Sequence, residues 1–357
     1  MKKLMAAAAV CTMALVLMGL LRPKPEPQTP RQLVLFITQE ADRAEASSSG
    51  QEPALQTERE PSALRVLTPE GVRSMELEDY LLQVVLAEMP VTFSEEALKA
   101  QAVAARTFAA RKMSAPRHPE ADICTDSACC QAFASDEALQ NLQETEPAQY
   151  EKLRRAVQET AGEVLTYDGA LIDATYFSCS GGSTEAAVAV WGSETPYLQP
   201  VPSPGEEDAP RFHSQVSFKP EDLRRILSEA APEACRDGEP ESWLGPVQLT
   251  EGGGVDTMEL GGVLFSGTKL RSLFGLNSAR FTLQYADGVF RFDVLGFGHR
   301  VGMSQYGAEH LAQLGFSYKT ILLYYYRGVQ IRKLPDECPG VFDTVTIRTD
   351  SEPASEP

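Results

Sequence analysis

The sequence is short of positive charge. Its 357 residues contain 32 Lys plus Arg against 50 Asp plus Glu, which gives a formal net charge of −18. Such a surplus of negative charge repels phosphate backbones and anionic lipid headgroups. Nucleic-acid binding and a polybasic membrane-surface role are therefore disfavoured, and we expect no nucleic-acid partner.

Cysteine is also scarce, and several familiar patterns are missing. Seven cysteines are too few for a disulfide scaffold in a chain of this length, although they suffice for one metal site or one or two bridges. The sequence has no internal repeat and no Gly-x-Ser-x-Gly hydrolase motif. At roughly 150 residues per domain, the length predicts about two domains, or one large domain with appendages.

The beginning of the chain predicts a membrane anchor. Lys2 and Lys3 precede an apolar run over residues 4–21, and about 18 apolar residues is the lower limit for a membrane-spanning helix. No small-residue cleavage pattern follows, so we interpret residues 1–21 as an uncleaved transmembrane signal anchor. The short N-terminus cannot carry a domain. The rest of the chain is therefore predicted to lie outside the cytoplasm, on a single-pass protein of the cytoplasmic membrane.

Two further segments are predicted to lie outside the folded body. Residues 22–63 are rich in Pro, Glu, Gln, Ser and Ala and cannot bury enough apolar surface to fold, which predicts a flexible extracytoplasmic tether. Within it, residues 33–37 are a candidate short strand or docking segment. Residues 339–357 end in a repeated Ser-Glu-Pro pattern and are interpreted as an acidic tail. The folded body is expected over residues 64–338.

The first strong pattern in the body places a carboxylate at the end of a helix. Acidic residues at the start of residues 77–88 suit the positive end of a helix dipole, and Pro90 ends the helix at about Glu88. The negative dipole end and burial by Val84, Val85 and Ala87 both oppose ionisation, so they are expected to raise the pKa of Glu88. A general acid working near neutral pH needs this environment. The alternative is a solvated glutamate at a frayed helix end.

A second helix is predicted over residues 95–111, with Ser94 as its cap. Apolar residues occupy nearly every face, which indicates a buried helix. Gln101 and Arg106 interrupt this surface. Either Arg106 forms a structural ion pair, because a buried arginine requires a partner, or both residues line a polar cleft beside Glu88.

A candidate metal site follows. His118, Cys124 and Cys130 stand at six-residue intervals in a polar loop, and two thiols with one imidazole suit a zinc ion. Outside the cytoplasm, a Cys124–Cys130 disulfide is the main alternative. Cys129 is a candidate fourth ligand, although adjacent residues rarely both face one ion.

Glycine-rich loops with hydroxyl and aromatic neighbours come next. A strand is predicted over residues 171–176, and the pair Gly181–Gly182 after it lets backbone amides approach a ligand closely. We interpret Cys179 as a structural thiol, since no base stands at an informative spacing. Trp191 is a candidate sugar platform, and residues 202–210 are interpreted as a surface loop.

The rest of the body completes an α+β prediction. A helix is expected over residues 220–231 and short strands around Val263, 281–285 and 289–294. Residues 296–308 place His299 and Gln305 on a glycine-punctuated loop that enters a helix, and an aromatic-rich helix is predicted over residues 318–326. We therefore expect mixed helices and short antiparallel strands in a cleft-forming catalytic body, with a smaller inserted subdomain at about 218–293.

Several of these stretches, in the same order along residues 64–334, resemble the motifs of the stage II sporulation protein D family. They are residues 77–80, 87–90, 98–107, 180–185, 190–192, 270–276 and 298–308. The resemblance implies a membrane-anchored lytic transglycosylase that cleaves MurNAc–GlcNAc bonds of peptidoglycan, on glycan strands already stripped of stem peptides, during engulfment of the forespore. It also implies a mother-cell membrane location facing the intermembrane space. The implied partners are the amidase stage II sporulation protein P and the membrane protein stage II sporulation protein M.

The resemblance also implies residue roles. By motif position, Glu88 corresponds to the catalytic acid/base, and His118, Cys124 and Cys130 correspond to zinc ligands of some clostridial-type members. Arg300 is a departure, because the family usually has glycine there, and glycine adopts backbone dihedrals that arginine avoids.

The remaining expectations concern how one carboxylate could suffice. Retaining glycosidases use two carboxyl groups, whereas a lytic transglycosylase lets the C6 hydroxyl of muramic acid attack its own anomeric carbon. The residues expected to hold the sugar are Lys99, Gln101, Arg106, Tyr176, Ser180, Gly181, Gly182, Thr184, His299, Gln305 and Tyr306. Two rival functions remain open: a zinc-dependent peptidoglycan amidase and a non-catalytic glycan-binding scaffold that stimulates a partner amidase.

Overall fold

The structure, a computed structural model, describes residues 63–235 and 238–334. The predicted anchor, the tether up to residue 62 and the acidic tail lie outside these residues. Within the described ranges, no helix is long and apolar enough to cross a bilayer. Helices alternate with short strands gathered in small sheets, so the predicted α+β class is confirmed.

The N-terminal part of the body is mainly helical. Strand β1 (Leu64–Thr68) pairs antiparallel with β2 (Gly71–Met75) and parallel with β3 (Ile123–Cys124). The predicted bounds of the first helix are confirmed, and the second helix begins at the predicted residue but continues past residue 111. The elements are β1 (Leu64–Thr68), β2 (Gly71–Met75), α1 (Leu77–Glu88), α2 (Glu95–Ser114), β3 (Ile123–Cys124), α3 (Asp136–Thr145) and α4 (Pro147–Glu159).

Short strands and one short helix follow. The strand predicted over residues 171–176 is divided, because the chain leaves β5 at Leu171 and enters β6 only at Tyr176. The surface interpretation of residues 202–210 holds for Glu207 and Asp208, which are exposed, but is wrong for Ser203 and Glu206, which are buried. The elements are β4 (Glu163–Tyr167), β5 (Ala170–Leu171), β6 (Tyr176–Phe177), β7 (Gly182–Ser183), α5 (Ala187–Trp191) and β8 (Pro202–Ser203).

The section from His213 to Leu295 has a hydrophobic core of its own. Two three-stranded antiparallel sheets pack with two helices around Trp243, Phe290 and Phe292. In strand order, the first sheet is β10 (Leu244–Leu249), β11 (Val255–Leu260) and β12 (Val263–Ser266), and the second is β13 (Phe281–Ala286), β14 (Val289–Leu295) and β9 (His213–Phe218). The strands predicted around Val263, 281–285 and 289–294 are confirmed, and the helix predicted over residues 220–231 ends one residue earlier, at Ala230. The elements are β9 (His213–Phe218), α6 (Pro220–Ala230), β10 (Leu244–Leu249), β11 (Val255–Leu260), β12 (Val263–Ser266), α7 (Gly267–Phe274), β13 (Phe281–Ala286) and β14 (Val289–Leu295).

The chain then returns to the body. Strand β15 (Met303–Ser304) pairs parallel with β6, and β16 (Gln330–Lys333) pairs antiparallel with β4. Helix α2 lies at the centre of the body, because its alanines allow four helices to pack closely on different faces. These helices are α1, α4, α8 (Gln305–Gln313) and α9 (Tyr318–Tyr325). The last elements are β15 (Met303–Ser304), α8 (Gln305–Gln313), α9 (Tyr318–Tyr325) and β16 (Gln330–Lys333).

Arg300 joins the returning chain to the β10–β11 hairpin. It adopts a left-handed backbone with φ of 67°, so the side chain occupies a position where glycine was expected. Its guanidinium is buried and donates to the carbonyls of Ser180 at 2.7 Å, Ser183 at 2.8 Å and Gly252 at 2.7 Å, and to Glu185 at 3.1 Å. The four hydrogen bonds offset the backbone strain and tie three segments together.

Arg106 forms a second buried ion pair. The side chain is fully buried, and Nε and Nη2 donate to the two carboxylate oxygens of Glu78 at 2.8 and 2.6 Å. The guanidinium also donates to the carbonyls of Val157 at 3.1 Å and Glu163 at 3.3 Å. Arg106 therefore fastens α2 to α1, α4 and β4, which is the structural alternative raised for this residue.

This pair predicts an asymmetric loss of stability. We expect Glu78→Ala to destabilise the protein by about 3 kcal/mol, because it leaves the Arg106 cation buried without a counter-ion. The double variant Glu78→Ala/Arg106→Met should recover part of that loss. The measurement is the urea midpoint, with Glu151→Ala as control, since the Glu151–Arg154 pair is on the surface. Equal midpoints for Glu78→Ala and Glu151→Ala would contradict the prediction.

Candidate functional site

Glu88, the last residue of α1, opens into a cavity of about 320 Å³. Aromatic rings dominate its walls, and Glu88 is the one carboxylate among the described residues that line it. The walls come from five separate segments of the chain. The lining residues are Glu88, Phe108, Ser127, Cys130, Gln131, Ala174, Thr175, Tyr176, Phe177, Ser178, Phe297, Gly298 and His299.

The surroundings of Glu88 favour its protonated form. Burial raises the pKa of the Glu88 carboxyl, and hydrogen bonds from the Ala132 amide, Gln305 and Tyr176 offset part of that rise. The Ala132 amide donates to Oε1 at 2.8 Å, and Gln305 Nε2 lies 3.5 Å from Oε2. The predicted direction is confirmed, but Ala87 is exposed and does not bury the carboxyl. The burial comes from segments distant in the chain.

A chain of neutral polar groups leads away from the carboxyl. Tyr80 donates its hydroxyl to Gln131 Oε1 at 3.2 Å, and Gln131 Nε2 donates to the Tyr176 hydroxyl at 2.7 Å. The Tyr176 hydroxyl is therefore free to donate its own proton to Glu88. Burial raises the pKa of Tyr176 well above its usual value, so this hydroxyl stays protonated. Gln131 was not singled out from the sequence, because it follows the cysteine cluster without a pattern of its own.

His299 forms part of the wall as a neutral ring. Burial lowers the pKa of His299 to about 4. Nδ1 accepts a hydrogen bond from the Val301 amide at 3.1 Å, so Nε2 carries the ring proton, and the Tyr176 carbonyl accepts a hydrogen bond from the ring. The ring packs between Phe177 and Trp191 at centroid distances of 5.6 and 5.3 Å. With both nitrogens bound to backbone, His299 shapes the cavity and does not transfer protons.

A second buried carboxylate, Glu206, supports the loops around the cavity. It accepts hydrogen bonds from the Ser180 and Gly181 amides at 2.7 and 3.0 Å, and from the hydroxyls of Ser180 at 2.8 Å, Ser203 at 2.6 Å and Ser304 at 2.5 Å. Burial raises the pKa of Glu206. No local sequence pattern predicts a role for Glu206, because its hydrogen-bond donors come from distant parts of the sequence.

Three thiols and one imidazole lie together beside the cavity. The ligand atoms of His118, Cys124, Cys129 and Cys130 lie within 4.8 Å of one another. His118 Nε2 is 3.7 Å from Cys129 Sγ and 3.6 Å from Cys130 Sγ, and the last two sulfurs are 3.8 Å apart. Two thiolates at about 2.3 Å from a tetrahedral zinc ion would be separated by about 3.8 Å. All three cysteines are free thiols, so the Cys124–Cys130 disulfide is absent from this part of the structure.

The backbone connects this cluster directly to a hydrogen-bond donor of Glu88. Cys130 lines the cavity, and two residues later the Ala132 amide donates to the Glu88 carboxyl. The Cys130 amide also bonds to the Asp126 carbonyl at 2.7 Å, which closes a tight turn. Any group that fixes the four ligand side chains therefore also fixes a hydrogen-bond donor to Glu88.

Three residues expected at the cleft do not line the cavity. Lys99 contacts three carboxylates, Glu159 at 2.7 Å, Glu96 at 3.2 Å and Glu95 at 3.3 Å. Arg106 is buried in its pair with Glu78, and Gln101 is fully buried with no hydrogen-bond partner for its amide among the described residues. The sequence reveals that these polar side chains interrupt an apolar helix, but not which distant partners surround them.

The five remaining expected residues do not line the cavity either. Ser180 and Gly181 donate to Glu206, and the buried Thr184 hydroxyl accepts from the Val201 amide at 2.8 Å, so all three support the loop. Gly182 is exposed. Tyr306 is half-buried, and its ring meets Phe93 edge-on at 5.0 Å. Of the eleven residues expected to hold sugar, only Tyr176 and His299 line the cavity, and Gln305 contacts Glu88.

The hydrogen bonds to Glu88 predict how its pKa responds to substitution. Tyr176→Phe and Gln305→Met each remove a donor that stabilises the carboxylate, so we expect each to raise the Glu88 pKa further. Carbon-13 NMR titration of the glutamate carboxyls measures this. Tyr318→Phe is the control, because its hydroxyl donates to Glu163 instead. An unchanged or lowered Glu88 pKa in Tyr176→Phe would contradict the assignment.

Comparisons with known proteins agree with the family resemblance. A profile of the family described as "SpoIID: Stage II sporulation protein" matches residues 68–167. The chain is 38% identical to stage II sporulation protein D of Bacillus subtilis (strain 168) over 267 residues, which cover 73% of this chain and 76% of that protein. It is 36% identical to stage II sporulation protein D of Bacillus amyloliquefaciens over 290 residues, covering 80% and 82%.

A more distant relative has another name. The amidase enhancer of Bacillus subtilis (strain 168) is 28% identical over 299 residues, which cover 70% of this chain but 39% of the enhancer. The similarity to the two D proteins extends over most of both chains. The residues matched by the family profile include Glu88. The chain belongs to the stage II sporulation protein D family, a family of sporulation proteins.

Proposed function

We propose that the protein is a lytic transglycosylase that cleaves MurNAc–GlcNAc bonds of peptidoglycan and prefers glycan strands stripped of stem peptides. The observation that carries the proposal is the single carboxylate of the cavity, Glu88, with a raised pKa. A retaining or inverting glycosidase needs two carboxyl groups across the scissile bond. A reaction whose nucleophile belongs to the substrate needs one.

In this mechanism Glu88 acts first as an acid. Because burial raises its pKa, a larger fraction of Glu88 is protonated at neutral pH than for a solvated glutamate. The proton passes from the carboxyl to the glycosidic oxygen as the bond to the anomeric carbon breaks. The Ala132 amide, Gln305 and Tyr176 then stabilise the carboxylate that remains.

Glu88 then acts as a base. The carboxylate accepts the proton of the muramic acid C6 hydroxyl while that oxygen bonds to the anomeric carbon, which leaves a 1,6-anhydro end and restores the acid. Tyr176 and Gln305 hold the carboxyl, and the rings of Phe177, Phe297 and His299 form an apolar wall that limits water at the reacting carbon. Excluding water favours the internal hydroxyl over hydrolysis.

The mechanism predicts the effect of removing the acid. We expect Glu88→Gln to lower the cleavage rate of peptide-free glycan strands by about 100-fold or more, the usual size of general acid–base catalysis. Mass spectrometry of the products from the unsubstituted protein should show 1,6-anhydro ends. Glu229→Gln, an exposed carboxylate of α6, is the matched control and should retain full activity.

Two outcomes decide between this reaction and its rivals. Products with ordinary reducing ends, or full activity of Glu88→Gln, would refute the transglycosylase. Binding of stripped strands without cleavage by the unsubstituted protein would select the second candidate, a glycan-binding scaffold that stimulates an amidase. That candidate is favoured by one finding, the similarity to a protein named amidase enhancer.

We further propose that His118, Cys124, Cys129 and Cys130 hold a structural zinc ion. The donor set fits, because three thiolates and one imidazole with these separations form a closed tetrahedral site. Bound zinc would cross-link the ends of the 118–130 loop and so hold the Ala132 amide against Glu88. Four protein ligands leave no position for a substrate or a water, which argues against the zinc-dependent amidase.

The zinc site predicts the metal content of cysteine variants. Cys124→Ser and Cys129→Ser are each expected to lower the zinc content of the purified protein, measured by elemental analysis, because each removes one of four ligands. Cys179→Ser is the matched control, since Cys179 is buried and lies outside the cluster. Full zinc content in Cys124→Ser would contradict the site, and full content in Cys129→Ser alone would limit it to three protein ligands.

The setting of the reaction is part of the proposal. We propose that residues 1–21 anchor the protein in the cytoplasmic membrane, with the catalytic body outside the cytoplasm, facing the intermembrane space during engulfment. An amidase that removes stem peptides must then act first on the same strand. Stage II sporulation protein P as that amidase and stage II sporulation protein M as a membrane partner remain proposals from the family resemblance.

A further inference from the structure

One arginine at the cavity differs from the cations of the body described above. Lys99, Arg106 and Arg300 are all neutralised by carboxylates. Arg211 is exposed and forms no ion pair with any residue that the structure describes. Its guanidinium lies over the ring of Phe297, 4.5 Å from the centroid.

Phe297, which lines the Glu88 cavity, holds this cation beside the cavity. The Phe297 ring lines the cavity, and its backbone is held on both sides, since its amide donates to the Cys179 carbonyl at 2.7 Å and its carbonyl accepts from the Cys179 amide at 3.2 Å. The residue after Arg211 is held as well, because the Phe212 carbonyl accepts from the Gly296 amide at 2.7 Å. Both the ring and the backbone that present Arg211 are therefore anchored.

The chemistry of the substrate supplies a counter-ion for this position. In intact peptidoglycan, the lactyl carboxyl of muramic acid is an amide to the stem peptide and carries no charge. Hydrolysis of that amide removes the peptide and leaves a free carboxylate on the sugar. A stripped strand thus carries a carboxylate on the sugar itself, near the bond that Glu88 is proposed to cleave, where an intact strand has a neutral amide that leads into the peptide.

We propose that Arg211 is a specificity-determining residue that binds the free lactyl carboxylate of a muramic acid beside the Glu88 cavity. The inference rests on the proposed function and names what separates stripped from intact strands. A planar guanidinium matches a carboxylate with two parallel hydrogen bonds while its face stays on an aromatic ring. In a protein of net charge −18, an anionic substrate needs such a local cation to offset the general repulsion.

Two other guanidiniums stand on this side of the body without a carboxylate partner among the described residues. Burial lowers the pKa of both Arg271 and Arg280. Arg271 Nε donates to the Leu276 carbonyl at 3.3 Å, and Arg280 packs near Gly182 and Gly253. Neither lies over a ring of the Glu88 cavity. Arg271, which lies near His299, is the stronger alternative and is included in the test.

The test measures binding in the Glu88→Gln background, so that cleavage is slow compared with the measurement. The two probes are a peptide-free glycan tetrasaccharide with free lactyl carboxylates and the same tetrasaccharide with those carboxylates converted to methyl amides. We expect the carboxylate form to bind about 10-fold tighter, as for a hydrogen-bonded charge pair. Arg211→Met should reduce this ratio to about one without changing affinity for the amide form.

Three further variants sharpen the result. Arg211→Lys keeps the charge without the planar fork and should retain a ratio of about threefold. Arg225→Met removes an exposed arginine on α6 that has its own acidic partners and should leave the ratio unchanged. Equal weakening of both probes by Arg211→Met, no change in the ratio, or loss of the ratio in Arg271→Met would each overturn the inference. Because only binding is measured, failure of the proposed cleavage reaction would be seen separately.

Discussion

The segments that surround the cavity are held together at one buried carboxylate. Glu206 binds the hydroxyls of Ser180, Ser203 and Ser304, which belong to three separate segments. A carboxylate taken out of water destabilises the fold by several kcal/mol unless it is hydrogen-bonded, so these segments are stable together and unstable apart. Ser304 caps α8, whose first residue is Gln305. The contact between Gln305 and Glu88 therefore depends on Glu206.

Glu88 and Glu206 show that a raised pKa does not by itself identify a catalytic acid. Burial raises the pKa of both carboxyls, and neutral donors bind both. Glu206 accepts five hydrogen bonds and has no room for a substrate, whereas Glu88 faces a cavity. Access to a cavity therefore distinguishes Glu88 from Glu206. The electrostatic environment of an accessible carboxyl then decides whether it can donate a proton at neutral pH.

Local patterns predicted helices α1, α2 and α6 and the strands over 263–294, because capping, proline positions and strand alternation act over a few residues. They predicted the position of Glu88 at the end of α1 for the same reason. They did not predict helices α3 and α4. They could not place Lys99 or Arg106, whose partners Glu159 and Glu78 are fixed only by tertiary packing. Even Ser94 bonds to Glu309 instead of capping α2 through its side chain. Distant partners, which no local pattern encodes, account for the corrections.

The separation of Glu88 from Gln305 along the chain has a consequence for the timing of activity. Glu88 lies near the start of the folded body, but Gln305 follows 217 residues later. Contacts of such long range form late in folding, because the intervening chain must first be ordered. A chain in which Gln305 has not yet docked therefore lacks one of the hydrogen-bond donors of Glu88. The hydrogen-bonded surroundings of Glu88 are therefore complete only when α8, which begins at Gln305, has docked beside the end of α1.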